Sequence, residues 1–435
     1  MHHLINNLLL YTTPNHDSIL ENLAFIMERT EDGDFDIDYA RRGVHDIVKK
    51  LLDLSTAYGF DQNLWQCYLT YHLVMNENSF SLTCERVGAS TGGSINLLAK
   101  QDLAIFHKLF HYDFSVWELA LGTNVFTVLT DYTAIPKRDC LYNADVSLHI
   151  RRLRDRLAAA SNADEMFDSL TAYYRERGVG MFGMNRAFRI AEGNDGPEFL
   201  PVQNADKILL SDLVGYEHQK GQLKQNTQAF VQGRRANNVL LYGDSGTGKS
   251  SSVKAVLNEY FEDGLRMIEI YKHQFGLLSS VISDIKKRNY RFIIYIDDLS
   301  FEEHEIEYKY LKAVIEGGVE TRPENILIYA TSNRRHLIRE TWNDRGDMEH
   351  DGDIHRSDTM EEKLSLAERF GLSINYSDPT HNEYLTIVRA LAEREGLKMD
   401  DDTLCREANR FEIRHGGVSG RVARQFIDDM KTKEK

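Results

Sequence analysis

The chain lacks what several broad protein classes require. No apolar run reaches the ~18 residues needed to span a bilayer, so no membrane partner is expected. The opening Met1-His2-His3-Leu4 has no basic segment followed by an apolar core and a small-residue cleavage site, so no secretory leader is expected. The four cysteines, Cys67, Cys84, Cys140 and Cys405, show no C-x-x-C spacing. They point to reduced, buried thiols in a cytoplasmic protein. Positive charge is also scarce, with 52 Lys and Arg against 67 Asp and Glu and a net charge of −15. That balance disfavours broad binding to nucleic acid, which needs basic surface to displace counterions. It leaves open a local basic channel built by assembling subunits. Residues 1–195 show no nucleophile–base pair and no metal-ligand spacing.

What remains is an ordinary globular balance, with 42% hydrophobic and 27% charged residues. A length of 435 residues predicts two or three domains, each burying its own core. Residues 1–195 read as a mostly helical module. Over residues 40–55, Val44, Ile47, Val48, Leu51 and Leu52 share one helical face. Residues 63–75 and 94–114 are aromatic-rich helical candidates. Asn162 with Glu165 forms a capping-box pattern ahead of Met166, Phe167, Leu170, Tyr173 and Tyr174, and Gly178 ends that helix. Trp65 and Trp117 read first as core and second as a binding groove.

The chemistry concentrates in Gly243-Asp244-Ser245-Gly246-Thr247-Gly248-Lys249-Ser250, which has the form G-x-x-x-x-G-K-[ST]. The apolar run from Asn238 to Tyr242 precedes it as a strand, and Ser251, Val253, Ala255, Val256 and Leu257 follow with helical spacing. Strand, loop and helix are the context in which such a loop cradles phosphate with backbone N–H groups and a helix N-terminus. Lys249 is assigned to the β- and γ-phosphates and Ser250 to Mg²⁺. A second apolar strand, 292–296, ends in Asp297-Asp298. Asp297 is placed to hold Mg²⁺ and Asp298 to polarise a lytic water. A third strand, 326–330, ends in Thr331-Ser332-Asn333, and Asn333 is placed to reach the γ-phosphate or the attacking water.

Three other features read as structure. Gly178-Val179-Gly180-Met181-Phe182-Gly183 matches G-x-G-x-x-G but follows a helix, so it reads as a flexible turn and not a dinucleotide fingerprint. Residues 193–201 hold two of the six prolines and read as an interdomain linker. Residues 342–358 are acidic, with His350 and His355, and read as a solvated loop ahead of a metal site. Beyond them, a short strand over 372–376 and helices over the last sixty residues are predicted. Thr380 with Glu383 forms a capping box, and Ser419 caps the final helix.

In order, these motifs resemble those of AAA+ ATPases. The fuller match resembles an uncharacterised bacterial AAA+ family known as a domain of unknown function. It is carried by Gln225-Asn226-Thr227, the run Ala236 to Gly243, Asp297 to Glu302, Tyr329 to Leu337 and Glu362 to Leu372, and covers about residues 200–435. The resemblance implies a P-loop NTPase AAA+ core, a three-layer α/β/α unit with a mostly parallel sheet, over 196–376. A helical lid over 377–435 follows, and the helical module of 1–195 precedes. It implies ATP/ADP and Mg²⁺ as ligands. Val214, Gly215 and Tyr216 match the adenine-pocket segment. Gly243 to Ser251, including Asp244, Ser245, Gly246, Thr247 and Gly248, match the phosphate loop. Arg369 matches the arginine finger that acts on a neighbouring subunit, and Arg421 the lid arginine that senses nucleotide in its own subunit.

A finger acting in trans implies a homo-oligomer, a hexameric ring or a spiral, with an unknown protein partner recognised by the first half. Two departures stand out. Asp297-Asp298 replaces the usual Asp-Glu, which predicts slow turnover or help from Glu302. Lys272-His273-Gln274-Phe275-Gly276 only partly matches the aromatic loop of unfolding motors, so Phe275 reads as core. A nucleotide-dependent switch and a nucleic-acid loader are the alternative functions.

Overall fold

A computed structural model gives the fold and describes residues 1–12, 18–32, 36–89, 92–135, 144–194, 196–302, 305–316, 323–333, 337 and 366–433. The expectations on Cys140 and on residues 334–336, 342–358 and 361–365 fall outside these residues. The chain divides into two compact units, Met1–Asn185 and Arg186–Lys435.

The described part of the first unit is helical. Its elements are α1 (His2–Ile5), α2 (Ile19–Glu31), α3 (Ile37–Tyr58), α4 (Leu64–Met75), α5 (Ser79–Val87), α6 (Ser94–Phe110), α7 (Ser115–Leu121), α8 (Val125–Thr130), α9 (Ala144–Ala159), α10 (Ala163–Arg177) and α11 (Gly180–Met184). In α3 the buried residues Val44, Ile47 and Leu51 recur at helical spacing, and the Asp36 side chain caps its start by accepting from the Tyr39 N–H at 2.6 Å. Helix α4 is buried nearly all round. Trp65 and Trp117 are core residues, and the Trp65 indole donates to the Leu109 carbonyl at 2.8 Å. Buried Asp102 holds the chain start by accepting the backbone N–H groups of Leu9, Leu10 and Tyr11.

Two local readings need correction. Asn162 does cap α10, but the Glu165 carboxylate returns to the Ser161 N–H and not to Asn162, so the reciprocal half of the box sits one residue early. The G-x-G-x-x-G segment is not a turn, because its last residues form α11.

The second unit is built on seven strands: β1 (Ala187–Gly193), β2 (Gly196–Pro201), β3 (Val239–Gly243), β4 (Leu265–Glu269), β5 (Arg291–Ile296), β6 (Ile326–Ser332) and β7 (Leu372–Tyr376). Their order is β2-β1-β4-β5-β6-β3-β7, and every neighbouring pair is parallel except β1 with β2. The described strand residues of the linker expected over 193–201, Gly193 and Gly196–Pro201, are therefore sheet. Residues 187–193 and 196–201 form an antiparallel pair on the edge of the core, and the boundary between units lies upstream of it. Proline is compatible with that position because an edge strand has outward N–H groups that nothing needs.

Helices α12 (Glu217–Val231) and α13 (Lys249–Tyr260) cover one sheet face, burying Leu223, Phe230, Val253 and Val256 with Val239, Leu241, Ile293 and Tyr329. The alternate strand residues Leu240, Phe292, Ile294 and Ile328 face the other way and are equally buried. Such two-sided burial explains the continuous apolar runs in the strands. Helices α14 (Leu278–Ile285) and α15 (Tyr308–Glu316) bury Leu278, Val281, Leu311 and Ile315. Phe275 is 1% exposed against Phe301, as its core reading requires.

Asn226 and Thr227 on α12 have a structural role. Both bond the buried Tyr329 hydroxyl, and Asn226 exchanges two hydrogen bonds with the backbone of Asn237. The lid is α16 (His381–Arg394), α17 (Asp401–His415) and α18 (Gly420–Lys433), with its own core of Tyr384, Val388, Leu404, Ala408, Ala423 and Phe426. The Thr380–Glu383 capping box is complete. The Ser419 hydroxyl accepts from the Val422 N–H at 3.1 Å. This is the P-loop α/β core and helical lid implied by the resemblance to AAA+ ATPases.

Candidate functional site

Parallel pairing brings the C-terminal ends of β3, β5 and β6 to one edge, where open α/β sheets form their ligand crevice. Strand β3 runs into the loop and α13 starts at Lys249. Two glycines permit the loop's path. Gly243 has φ +127°, and a Cβ there would meet the Tyr376 carbonyl oxygen at 2.2 Å. Gly246 has φ +80°, with Arg421 and Ser419 of the lid where a side chain would begin. The loop is tied down on its far side: the Asp244 N–H donates to the Tyr376 carbonyl at 2.9 Å, and the Asp244 carboxylate accepts the Asp378 N–H at 2.8 Å.

Lys249 is 6% exposed, and its ammonium donates to the carbonyls of Gly243 at 2.9 Å and Asp244 at 2.5 Å. Burial holds its pKa below the usual lysine range, against the opposing pull of Asp244, Asp298 and Asp297. A cation in that state gains from any anion that enters.

Asp297 collects three hydroxyl donors on Oδ1: Ser250 at 2.7 Å, Tyr295 at 2.6 Å and Thr331 at 2.5 Å. Its Oδ2 accepts none among the described residues. Burial raises the Asp297 pKa, but the hydrogen bonds from Thr331, Tyr295 and Ser250 outweigh it and leave the carboxyl below its ordinary range. A folded pKa below the unfolded value means stabilisation that is present above about pH 4 and is lost as pH falls through the folded pKa. Urea unfolding of the wild type and Asp297→Asn should therefore differ in pH slope below about pH 4, with the variant flatter. Parallel slopes would contradict this account of the carboxyl.

Next to it, Asp298 takes a left-handed φ of +50°. Its N–H donates to Thr331 Oγ1 at 2.9 Å, and its Oδ1 accepts from the Asn333 amide at 2.9 Å. Strained backbone of this kind costs on the order of 1–3 kcal/mol and is held only when neighbours enforce it.

These residues line one end of a cavity of about 620 Å³. Away from the loop the lining includes the apolar side chains Ile208, Val214, Ile387 and Leu391 and the Tyr216 ring, together with Asp212, Lys220, Arg394 and Arg424. The Tyr216 ring stacks on Tyr376 with centroids 5.1 Å apart. Arg421 reaches the loop from the lid, with its N–H on the Gly246 carbonyl at 3.2 Å and its guanidinium 3.5 Å from Ser245 Oγ. The two ends of the cavity differ in the way the two ends of a nucleotide do. The phosphate end also carries a hydroxyl and a carboxylate, hard oxygen donors that suit Mg²⁺.

Of the predicted residues, Val214, Tyr216, Ser245 to Ser251, Asp297, Asp298, Asn333 and Arg421 line this cavity. Gly215, Gly243 and Asp244 are not among the lining residues. Arg369 does not line it and is ion-paired with Glu316 at the end of α15. Glu302 is not among the lining residues either. Sequence reasoning missed the roles of Tyr295 and Thr331. Tyr295 had a signal, being two residues before Asp297 at the end of the same strand. Thr331 had none, since only the β5–β6 register, with Ala330 beside Ile296, puts Thr331 beside Asp297.

RuvB from Thermotoga maritima is similar in two solved structures. A mutant form shares 16% identity over 53% of this chain and 68% of that one, with a TM-score of 0.37. The Holliday junction branch migration motor shares 13% identity over 52% and 72%, with a TM-score of 0.32. No curated protein matches the sequence. A family profile described as "Protein of unknown function (DUF815)" matches residues 183–434, the whole sheet-and-lid unit with its phosphate loop, and the chain belongs to that family.

Proposed function

We propose that the protein binds ATP with Mg²⁺ in the cavity between sheet and lid and hydrolyses it at contacts between its own subunits. The observation that carries this reading is a cavity that presents Lys249, Ser250 and Asp297 together at the loop and holds Val214, Tyr216, Ile387 and Leu391 elsewhere in its lining. Val214 and Tyr216 would receive the base, and the loop amides and Lys249 the triphosphate. Ser250 and Asp297 would hold Mg²⁺, which when bound neutralises charge on the phosphate oxygens. Asp298 would accept the proton of the attacking water. The Asn333 amide fixes it through one oxygen and leaves the other for that proton. Arg369 would complete the neighbour's site, which requires a homo-oligomer such as a ring or spiral. The work of the cycle would be the remodelling of a protein partner recognised by the helical first unit.

A second reading has its own support. Asp298 is one methylene shorter than the usual Glu and is already engaged by Asn333, which favours a nucleotide-dependent switch that turns over scarcely at all. Phosphate release measured across protein concentration, beside nucleotide binding by calorimetry, separates the two. The hydrolase reading expects turnover per chain to rise with concentration and to stop when Mg²⁺ is chelated. Saturable binding without turnover leaves the switch. No binding at all removes both.

A further inference from the structure

We infer that the first unit carries a zinc site formed by His2, His3 and Glu31. One ring nitrogen from each histidine and one carboxylate oxygen lie within 4.8 Å of one another. His2 is 4% exposed, and its Nδ1 is buried without a hydrogen-bond partner. Buried ring nitrogens are normally satisfied, so this one calls for an account.

The Glu31 carboxylate stands 3.5 Å from that nitrogen. This is beyond the ~2.7–2.9 Å of a charge-assisted hydrogen bond. It is close to the roughly 3.4 Å that separates two ligands each about 2.1 Å from a tetrahedral ion. The two imidazoles are neighbours, with ring centroids 3.7 Å apart, although successive positions on a helix ordinarily diverge. Two rings on one tetrahedral ion stand roughly 5 Å apart, so binding would swing the exposed His3 ring outward. Glu31 is also the last residue of α2, where the helix dipole favours a cation.

Two imidazoles and a carboxylate without thiolate suit zinc, with the fourth position left to water. Iron(II) uses the same donor types. His3 and Glu31 are exposed, however, which fits a surface clip joining α1 to α2 better than a shielded redox centre. The sequence hid this site because no fixed spacing links the paired histidines to a glutamate at the far end of the next helix.

The test is calorimetric titration of tag-free, chelator-treated full-length protein with zinc chloride, beside thermal unfolding with and without zinc. One ion per chain is expected, with affinity at least tenfold weaker in His3→Ala and in Glu31→Gln. A zinc-dependent rise in melting temperature is expected in the wild type alone. Both substituted side chains are exposed, so unchanged melting without zinc will show that the variants fold. Absence of saturable binding, or wild-type affinity in both variants, overturns the site.

Discussion

Replacing Lys249 with alanine should weaken ATP binding roughly 100-fold or more, the loss expected for hydrogen bonds between an ammonium and a phosphate. The protein itself should remain folded. In the structure the ammonium is buried against two carbonyls and its pKa is depressed by that burial. The folded state thus pays for desolvating the charge, and removing it relieves that cost while leaving two carbonyls to be rehydrated at a cavity wall. The net effect on unfolding should be within about 1 kcal/mol, whereas the effect on nucleotide affinity is large. Titration with a fluorescent ATP analogue, alongside thermal unfolding, reads both. Affinity within threefold of the wild type would mean that phosphate is not bound at this loop.

The second large effect concerns Arg369. It lies outside the cavity of its own chain and pairs with Glu316. If it serves a neighbour, Arg369→Ala should lower turnover by about 10³-fold, the scale of an arginine acting on a transferring phosphoryl group. ATP affinity should stay within a few-fold. A mixing experiment makes the prediction sharper. Lys249→Ala subunits keep the finger and lack the pocket, and Arg369→Ala subunits keep the pocket and lack the finger. Each preparation alone should be inactive, and a mixture should regain measurable turnover. Full turnover by Arg369→Ala alone, or no recovery on mixing, would reject a site shared between subunits.

What could be read in advance depended on how far apart the cooperating residues lie. The phosphate loop is consecutive, so its chemistry is visible in one window of sequence. Asp297, Asp298 and Asn333 were legible because parallel strands of a P-loop sheet end on one side, which makes strand ends meaningful without knowing the strand order. Thr331 was not, because assigning its hydroxyl to Asp297 needs the register between β5 and β6, whereas Tyr295, two residues before Asp297 at the end of the same strand, could have been read from alternation alone. The apolar residues that join Val214 and Tyr216 in the cavity were less legible still. Ile208 precedes the loop while Ile387 and Leu391 come from the lid, and nothing local marks them as neighbours. The prolines of 193–201 misled for a physical reason. They were weighed as loop formers, yet an edge strand also tolerates a residue without an N–H.

That edge has a bearing on assembly. The Val202 N–H points inward to the Ala187 carbonyl, so by alternation the backbone nitrogens of positions 197 and 201 lie on the outer side of β2. Both are prolines and carry no hydrogen there. A second copy laid alongside β2 would find no donor at either position, where a continuing ladder needs one at each. Fibril-like stacking from this border is thereby discouraged. A sheet that continued across this border would start with two rungs missing, one at each proline.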